Sequence, residues 1–109
     1  MTPKPSELVQ GTLDMLILKT LALDPLHGFG ITLRLEQMSQ GVFRVNPGTL
    51  FPALKRLERD GLINGSWQTT ENNRRAKYYA LSAAGRRRLD VELRGWLRQV
   101  AAITRILEA

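Results

Sequence analysis

Few residues in this chain have the chemistry that an enzyme's active site requires. His27 is the only histidine, it lies in a Leu-His-Gly turn, and the sequence contains no cysteine. A thiolate metal site, a disulfide and a thiol redox switch are therefore unsupported. No glycine-rich phosphate loop or nucleophile elbow occurs either. We expect a structural role for His27, and the sequence predicts neither an enzyme nor a protein with a metal or organic cofactor.

Basic side chains, in contrast, follow a pattern that suggests a partner. Residues 44–88 contain ten lysines and arginines against three acidic residues, whereas the other 64 residues contain six against seven. The excess behind the formal net charge of +6 therefore lies in one contiguous segment. Such a distribution is typical of a surface that binds nucleic acid. A basic face that is merely solvated is the alternative.

Part of this charge lies on a predicted helix that ends near Asp60. Leu50, Leu54 and Leu57 form its apolar stripe, so the basic side chains face away from the core. In a helix-turn-helix protein the N-terminal part of such a helix contacts base edges, while later residues contact phosphates. The candidate base-reading residues are Asn46, Thr49, Pro52 and Lys55, and the candidate phosphate-binding residues are Arg56 and Arg59.

Pro52 leaves the start of this helix open. With Asn46 as N-cap, Pro52 lies inside the helix, where it removes one backbone hydrogen bond and kinks the axis. With Thr49 as N-cap, Pro52 lies in the first turn, where proline is tolerated. Both starts are compatible with the sequence.

More positive charge lies at a predicted β-hairpin. Residues 63–69 and 76–81 have the alternation of strands, and the polar segment between them contains an Asn-Asn pair suited to a turn. Arg74, Arg75 and Lys77 cluster at and beside its tip, where they repel one another unless a polyanion is near. We predict that this hairpin also contacts DNA.

The remaining elements place the two candidate surfaces in one domain. Residues 12–24 form a helix that is apolar on two sides, and Asp24-Pro25 ends it. A second helix runs from residue 27 or 28 to residue 40, with Ile31, Leu35 and Met38 facing inward and Gly41 as its stop. A short extended segment follows. The order of three helices and a hairpin is that of a winged helix-turn-helix, with the hairpin as the wing.

Ser82 is predicted to cap a last helix that continues to Leu107. Its apolar positions recur at spacings of four and three, the heptad pattern that pairs helices. They are Leu89, Leu93, Trp96, Val100, Ile103 and Leu107. We predict a homodimer through this stripe, in which Trp96 is either core or the floor of a pocket for a flat ligand. Arg86–Arg88 oppose the helix dipole, and either bind an anion or point into water.

The predicted fold class is therefore mostly α with a small β-hairpin. It comprises a winged helix-turn-helix DNA-binding domain at residues 1–81, N-terminal helix included, and a C-terminal dimerisation helix at residues 82–109. The longest apolar run, near Met15–Leu18, is far too short to span a membrane, and the first residues do not resemble a secretion signal. We expect a cytoplasmic protein that has no membrane partner.

Three segments carry a resemblance to a known family. LHGFGI at 26–31, VNPGTLFPALKRLERDGLI at 45–63 and RRAKYYALSAAGRRRL at 74–89 resemble the PadR family of bacterial transcriptional regulators. The resemblance implies a winged-helix dimer, held by its N- and C-terminal helices, that binds a pseudo-palindromic operator in double-stranded DNA, usually as a repressor. The single C-terminal helix is similar to the short subfamily, some of whose members bind aromatic drugs at the dimer interface near a tryptophan. Trp96 occupies a similar place.

The chain departs from the family pattern at several positions. Phe29 and Phe51 stand where tyrosine is usual, Gly30 stands where an acidic residue is usual, and residues 73–75 replace a Gly-Arg-Pro wing tip. The resemblance makes double-stranded DNA, a second copy of the chain and a small planar aromatic effector at Trp96 the expected partners. A winged-helix module that binds an acidic protein is the main alternative, and a small enzyme is a remote one.

Overall fold

A computed structural model describes residues 10–109 as four helices and a small antiparallel sheet. The helices are α1 (Gln10–Leu23), α2 (Gly28–Met38), α3 (Pro47–Arg59) and α4 (Ala83–Leu107). The strands are β1 (Leu26–His27), β2 (Ile63–Thr69) and β3 (Arg75–Leu81), in the spatial order β1-β3-β2. The predicted class, mostly α with a hairpin wing, is confirmed. Residues 1–9, and with them the expectation about secretion, lie outside the described part of the chain.

The core forms around α1, because that helix is apolar on two sides. Ile17 and Leu18 are fully buried, together with Leu54 of α3 and Ile63 of β2. Helices α2, α3 and α4 and strand β3 all contact α1. Met38, which we predicted to face inward, is instead 53% exposed at the last residue of α2, whereas Leu35 one turn earlier is buried.

The connections agree with most of the turn signals. Helix α1 ends before Asp24-Pro25, and α2 is followed by Gly41 at φ 82°, in the left-handed region where glycine carries no Cβ penalty. The predicted extended segment at residues 42–45 forms no strand. Leu26 and His27 form β1 instead and pair with Tyr79 and Tyr78 of β3. Two residues are too few for alternation to reveal a strand.

Helix α4 begins as predicted, with Ser82 as N-cap accepting a hydrogen bond from the N–H of Gly85 at 3.0 Å. Leu89 is only 8% exposed and belongs to the core of its own subunit. We predicted Leu89 as a dimer-interface residue, and this prediction is corrected. The first turns of α4 pack against α1, so the Leu89 side chain is buried within its own subunit. Within residues 10–109 no helix is both long and apolar enough to cross a bilayer.

Candidate nucleic-acid interface

The exposed face of α3 brings the predicted base-reading residues together. Asn46 is the N-cap, and its Oδ1 accepts a hydrogen bond from the N–H of Thr49 at 2.9 Å. The earlier of the two possible starts is therefore the one that forms, and Pro52 lies inside the helix. Thr49, Pro52 and Lys55 are all exposed, and they follow one another at intervals of three residues, slightly less than one helical turn. Arg59 is exposed at the end of the helix, 3.3 Å from Asp60.

Arg56 lies differently from our prediction. Its side chain is only 25% exposed and donates a hydrogen bond to Asp14 of α1 at 2.5 Å. Burial raises the pKa of Asp14, and the hydrogen bond from Arg56 opposes that rise without cancelling it. The pair therefore holds α3 against α1. A cation whose charge is already partly neutralised in this way is a poor candidate for a phosphate contact.

The hairpin positions two of the three predicted wing cations at its tip. Strands β2 and β3 pair in register from Ile63 opposite Leu81 to Thr69 opposite Arg75. Asn73 adopts φ 59°, the left-handed conformation that asparagine tolerates at a turn. Arg74 and Arg75 follow it and are exposed. The guanidinium of Arg75 lies 5.5 Å from the centre of the Trp67 ring, in cation–π contact.

Lys77 is the third wing cation, and it forms an ion pair with Glu58 of α3. Its Nζ lies 2.7 Å from Oε1 of Glu58 and 5.6 Å from the centre of the Tyr79 ring. The hydrogen bond to Glu58 raises the pKa of Lys77, so this charge is stabilised by the protein itself. Lys77 therefore joins strand β3 of the wing to α3, whereas we predicted it as a DNA-binding residue beside the tip.

Three aromatic side chains at this interface were not among the predicted site residues. Phe29, Phe51 and Trp67 are 73%, 50% and 61% exposed. They line a groove of about 740 Å³ between the start of α2, helix α3 and the wing, together with Arg74 and Arg75. Strand alternation placed Trp67 on the same face as the buried Ile63, but β2 runs past the edge of the core before it reaches Trp67.

His27 has the structural role that we expected. Its Nδ1 accepts a hydrogen bond from the N–H of Gly30 at 2.9 Å and so caps α2. Its ring meets Tyr78 edge to face at a centroid distance of 5.1 Å. Across the described residues, no cluster of three or more histidine or acidic side chains is placed to hold a metal ion.

Three helices, a capped third helix with an exposed basic face and a hairpin with two exposed arginines define a winged helix-turn-helix protein. A family model for the PadR-like transcriptional regulators matches residues 17–91 of the chain. The chain therefore belongs to the PadR-like family of transcriptional regulators.

The chain is also similar to individual proteins and to solved structures. The chain is 38% identical over 78 residues to the transcriptional regulator Rv3488 of Mycobacterium tuberculosis, an alignment that covers 72% of this chain and 69% of that protein. It is 39% identical over 79 residues to an uncharacterized 37.1 kDa protein of transposon TN4556 from Streptomyces fradiae, covering 72% of this chain but only 21% of that protein. A PadR-like transcriptional regulator from Bacillus cereus, 22% identical, has the same fold with a TM-score of 0.82 and covers 95% of this chain and 99% of that one.

Proposed function

We propose that the protein is a cytoplasmic homodimer that represses transcription by binding a pseudo-palindromic operator. The observation that carries this proposal is the position of the two exposed cationic surfaces. The wing arginines Arg74 and Arg75 line a groove that α3 borders at Phe51, and the exposed Lys55 lies about one helical turn further along α3. Helix α3 would enter the major groove, and the wing would reach the neighbouring backbone.

The wing is expected to bind phosphates and to carry no base specificity. Arg75→Ala should lower affinity for a bound duplex roughly tenfold for each subunit, hence about 100-fold for the dimer, because each subunit loses one charge-assisted hydrogen bond. Since each phosphate contact contributes about 0.9 to the slope of log affinity against log salt, the slope should fall by about 1.8 per dimer. Fluorescence anisotropy over a salt series measures both values.

Arg105→Ala is the matched control, because Arg105 lies in the last turn of α4, away from the wing. It should leave both affinity and slope unchanged. If the affinity of the unmodified protein for the duplex hardly changed with salt concentration, that result would contradict the proposed DNA binding. Salt-sensitive binding to an acidic protein instead of DNA would favour the interaction-module interpretation, and altered base preference in Arg75→Ala would contradict the role proposed for the wing.

We further propose that a small planar aromatic molecule binds beside Trp96 and relieves repression. A cavity of about 320 Å³ lies between α1 and α4, and Met15, Glu92, Trp96 and Gln99 are among its lining residues. An aromatic ring held there by stacking would change how α4 packs and hence the distance between two recognition helices. That distance must match half-sites about one turn of DNA apart.

Tryptophan fluorescence tests this effector site. Planar aromatic compounds are titrated into Trp67→Phe, in which Trp96 is the one remaining tryptophan, and into Trp96→Phe. We expect saturable quenching in the first variant alone, and weaker operator binding by the unmodified protein at the same ligand concentration. If no compound quenches Trp96, or quenching leaves operator affinity unchanged, the effector site is wrong.

A further inference from the structure

The centre of the exposed face of α3 is formed by Gly48 and Pro52. Both residues are exposed, and they lie one above the other because four residues make about one helical turn. In an α-helix the N–H of residue 52 would bond to the carbonyl of residue 48, but proline has no N–H. The Gly48 carbonyl therefore lacks its α-helical donor, and it lies next to the apolar Pro52 ring.

Two of the polar groups nearby are already bonded within the protein. The side-chain oxygen of Asn46 accepts the hydrogen bond from Thr49, and Arg56 is held by Asp14. Between the exposed side chains of Thr49 and Lys55, α3 offers one backbone acceptor and one apolar surface, side by side. Neither feature suits a phosphate, which takes donors and positive charge.

This combination matches one base pair in the major groove. An A·T pair presents a donor, the adenine N6 amino group, and a thymine C5-methyl group on the far side of the thymine O4 acceptor. A C·G pair presents the cytosine N4 donor but has no methyl group, and the N7 and O6 of guanine are acceptors that a carbonyl repels. The pattern on α3 therefore discriminates A·T from both orientations of G·C.

We infer that Gly48 and Pro52 read an A·T pair in each half-site. The Pro52 ring packs on the thymine methyl group, and the Gly48 carbonyl accepts a hydrogen bond from the adenine amino group. This inference rests on the proposed operator binding and assigns a reading role to a proline that would otherwise only kink the helix.

Base analogues in the bound duplex test the inference. Duplexes that bind the full-length protein are selected from a random pool, and each thymine of the selected sequence is then replaced by uracil, which lacks the methyl group. We expect a roughly tenfold loss of affinity at one thymine per half-site. Replacing its partner adenine by purine, which lacks the N6 amino group, should give a similar loss.

Protein variants then assign the effect to Pro52. Pro52→Ala removes the ring and restores the N–H that pairs the Gly48 carbonyl, so both substitutions in the DNA should cost this variant less than about twofold. The exchange suits an exposed helix interior, since alanine is the better helix former, so the variant is expected to fold. Pro47→Ala is the matched control, since Pro47 is the first residue of the same helix and is exposed. It should keep the full tenfold dependence.

The outcomes separate the inference from the function on which it rests. Failure to select any duplex overturns both. A selected duplex that tolerates uracil at every position overturns the inference alone and leaves operator binding intact. Equal dependence on the methyl group in Pro52→Ala and the unmodified protein overturns the assignment to Pro52.

Discussion

Gly85→Ala is expected to destabilise the protein by about 3 kcal/mol, because the added methyl group has no room. A Cβ at Gly85 would lie 2.0 Å from the backbone carbonyl oxygen of Leu62 and 2.7 Å from Cδ1 of Leu81. The Leu62 carbonyl cannot easily retreat, since it accepts a hydrogen bond from the N–H of Ser82 at 3.1 Å. Thermal unfolding should show a midpoint lower by roughly 15 °C.

Gly95→Ala in the same helix is the control for the glycine-to-alanine change itself. Only the end of the Arg98 side chain approaches a Cβ at Gly95, at 4.0 Å. Alanine there should stabilise the protein by about 1 kcal/mol, the usual gain in a helix interior. If Gly85→Ala matched Gly95→Ala in stability, the close packing of α4 on the Leu62 carbonyl would be wrong.

Ile103→Asp is expected to weaken the proposed dimer at least ~100-fold. Ile103 is 54% exposed in the single subunit, so the change should leave the fold of that subunit intact. In a two-fold symmetric interface the residue occurs twice, and burial of two unpaired carboxylates is costly. Light scattering over a range of micromolar concentrations should report a dimer for the unmodified protein and a monomer for the variant.

Ala101→Asp is the matched control for the added charge. Ala101 is exposed on the same helix, about 160° around the axis from Ile103. This variant should remain dimeric, with a circular dichroism spectrum like that of Ile103→Asp. A monomeric unmodified protein would contradict the dimer, and equal weakening by both variants would contradict the predicted stripe.

Much of the fold could be predicted because local signals specify it. Asn46 and Ser82 were recognised as N-cap candidates because their side chains bond to backbone N–H groups three residues away, an interaction within one segment. The left-handed turn at Asn73 and the end of α1 before Pro25 have similarly local causes. The two strands of the wing were found from alternation and a polar turn, within one residue of their ends.

What the tertiary structure decided concerns contacts between distant segments. From the sequence we predicted that Arg56 and Lys77 are available to bind DNA. In the structure Arg56 donates a hydrogen bond to Asp14, 42 residues away in sequence, and Lys77 donates one to Glu58, 19 residues away. Leu89 completes a heptad pattern, yet its side chain is buried in its own subunit. Sequence periodicity shows which face of a helix is apolar, but only packing shows which neighbour covers that face.

The sequence by itself thus determined the order of the four helices and the hairpin, the cap of α4 and the segment that carries the positive charge, because these depend on residues a few positions apart. The tertiary structure alone decided which of the predicted site cations remain exposed and which aromatic rings line the groove beside the wing arginines. The pairing of β1 with β3 also appears only in the structure, because a strand of two residues is too short to show an alternating pattern in the sequence. These features depend on contacts between side chains that are far apart in sequence, and the spacing of residues along the chain does not specify such contacts.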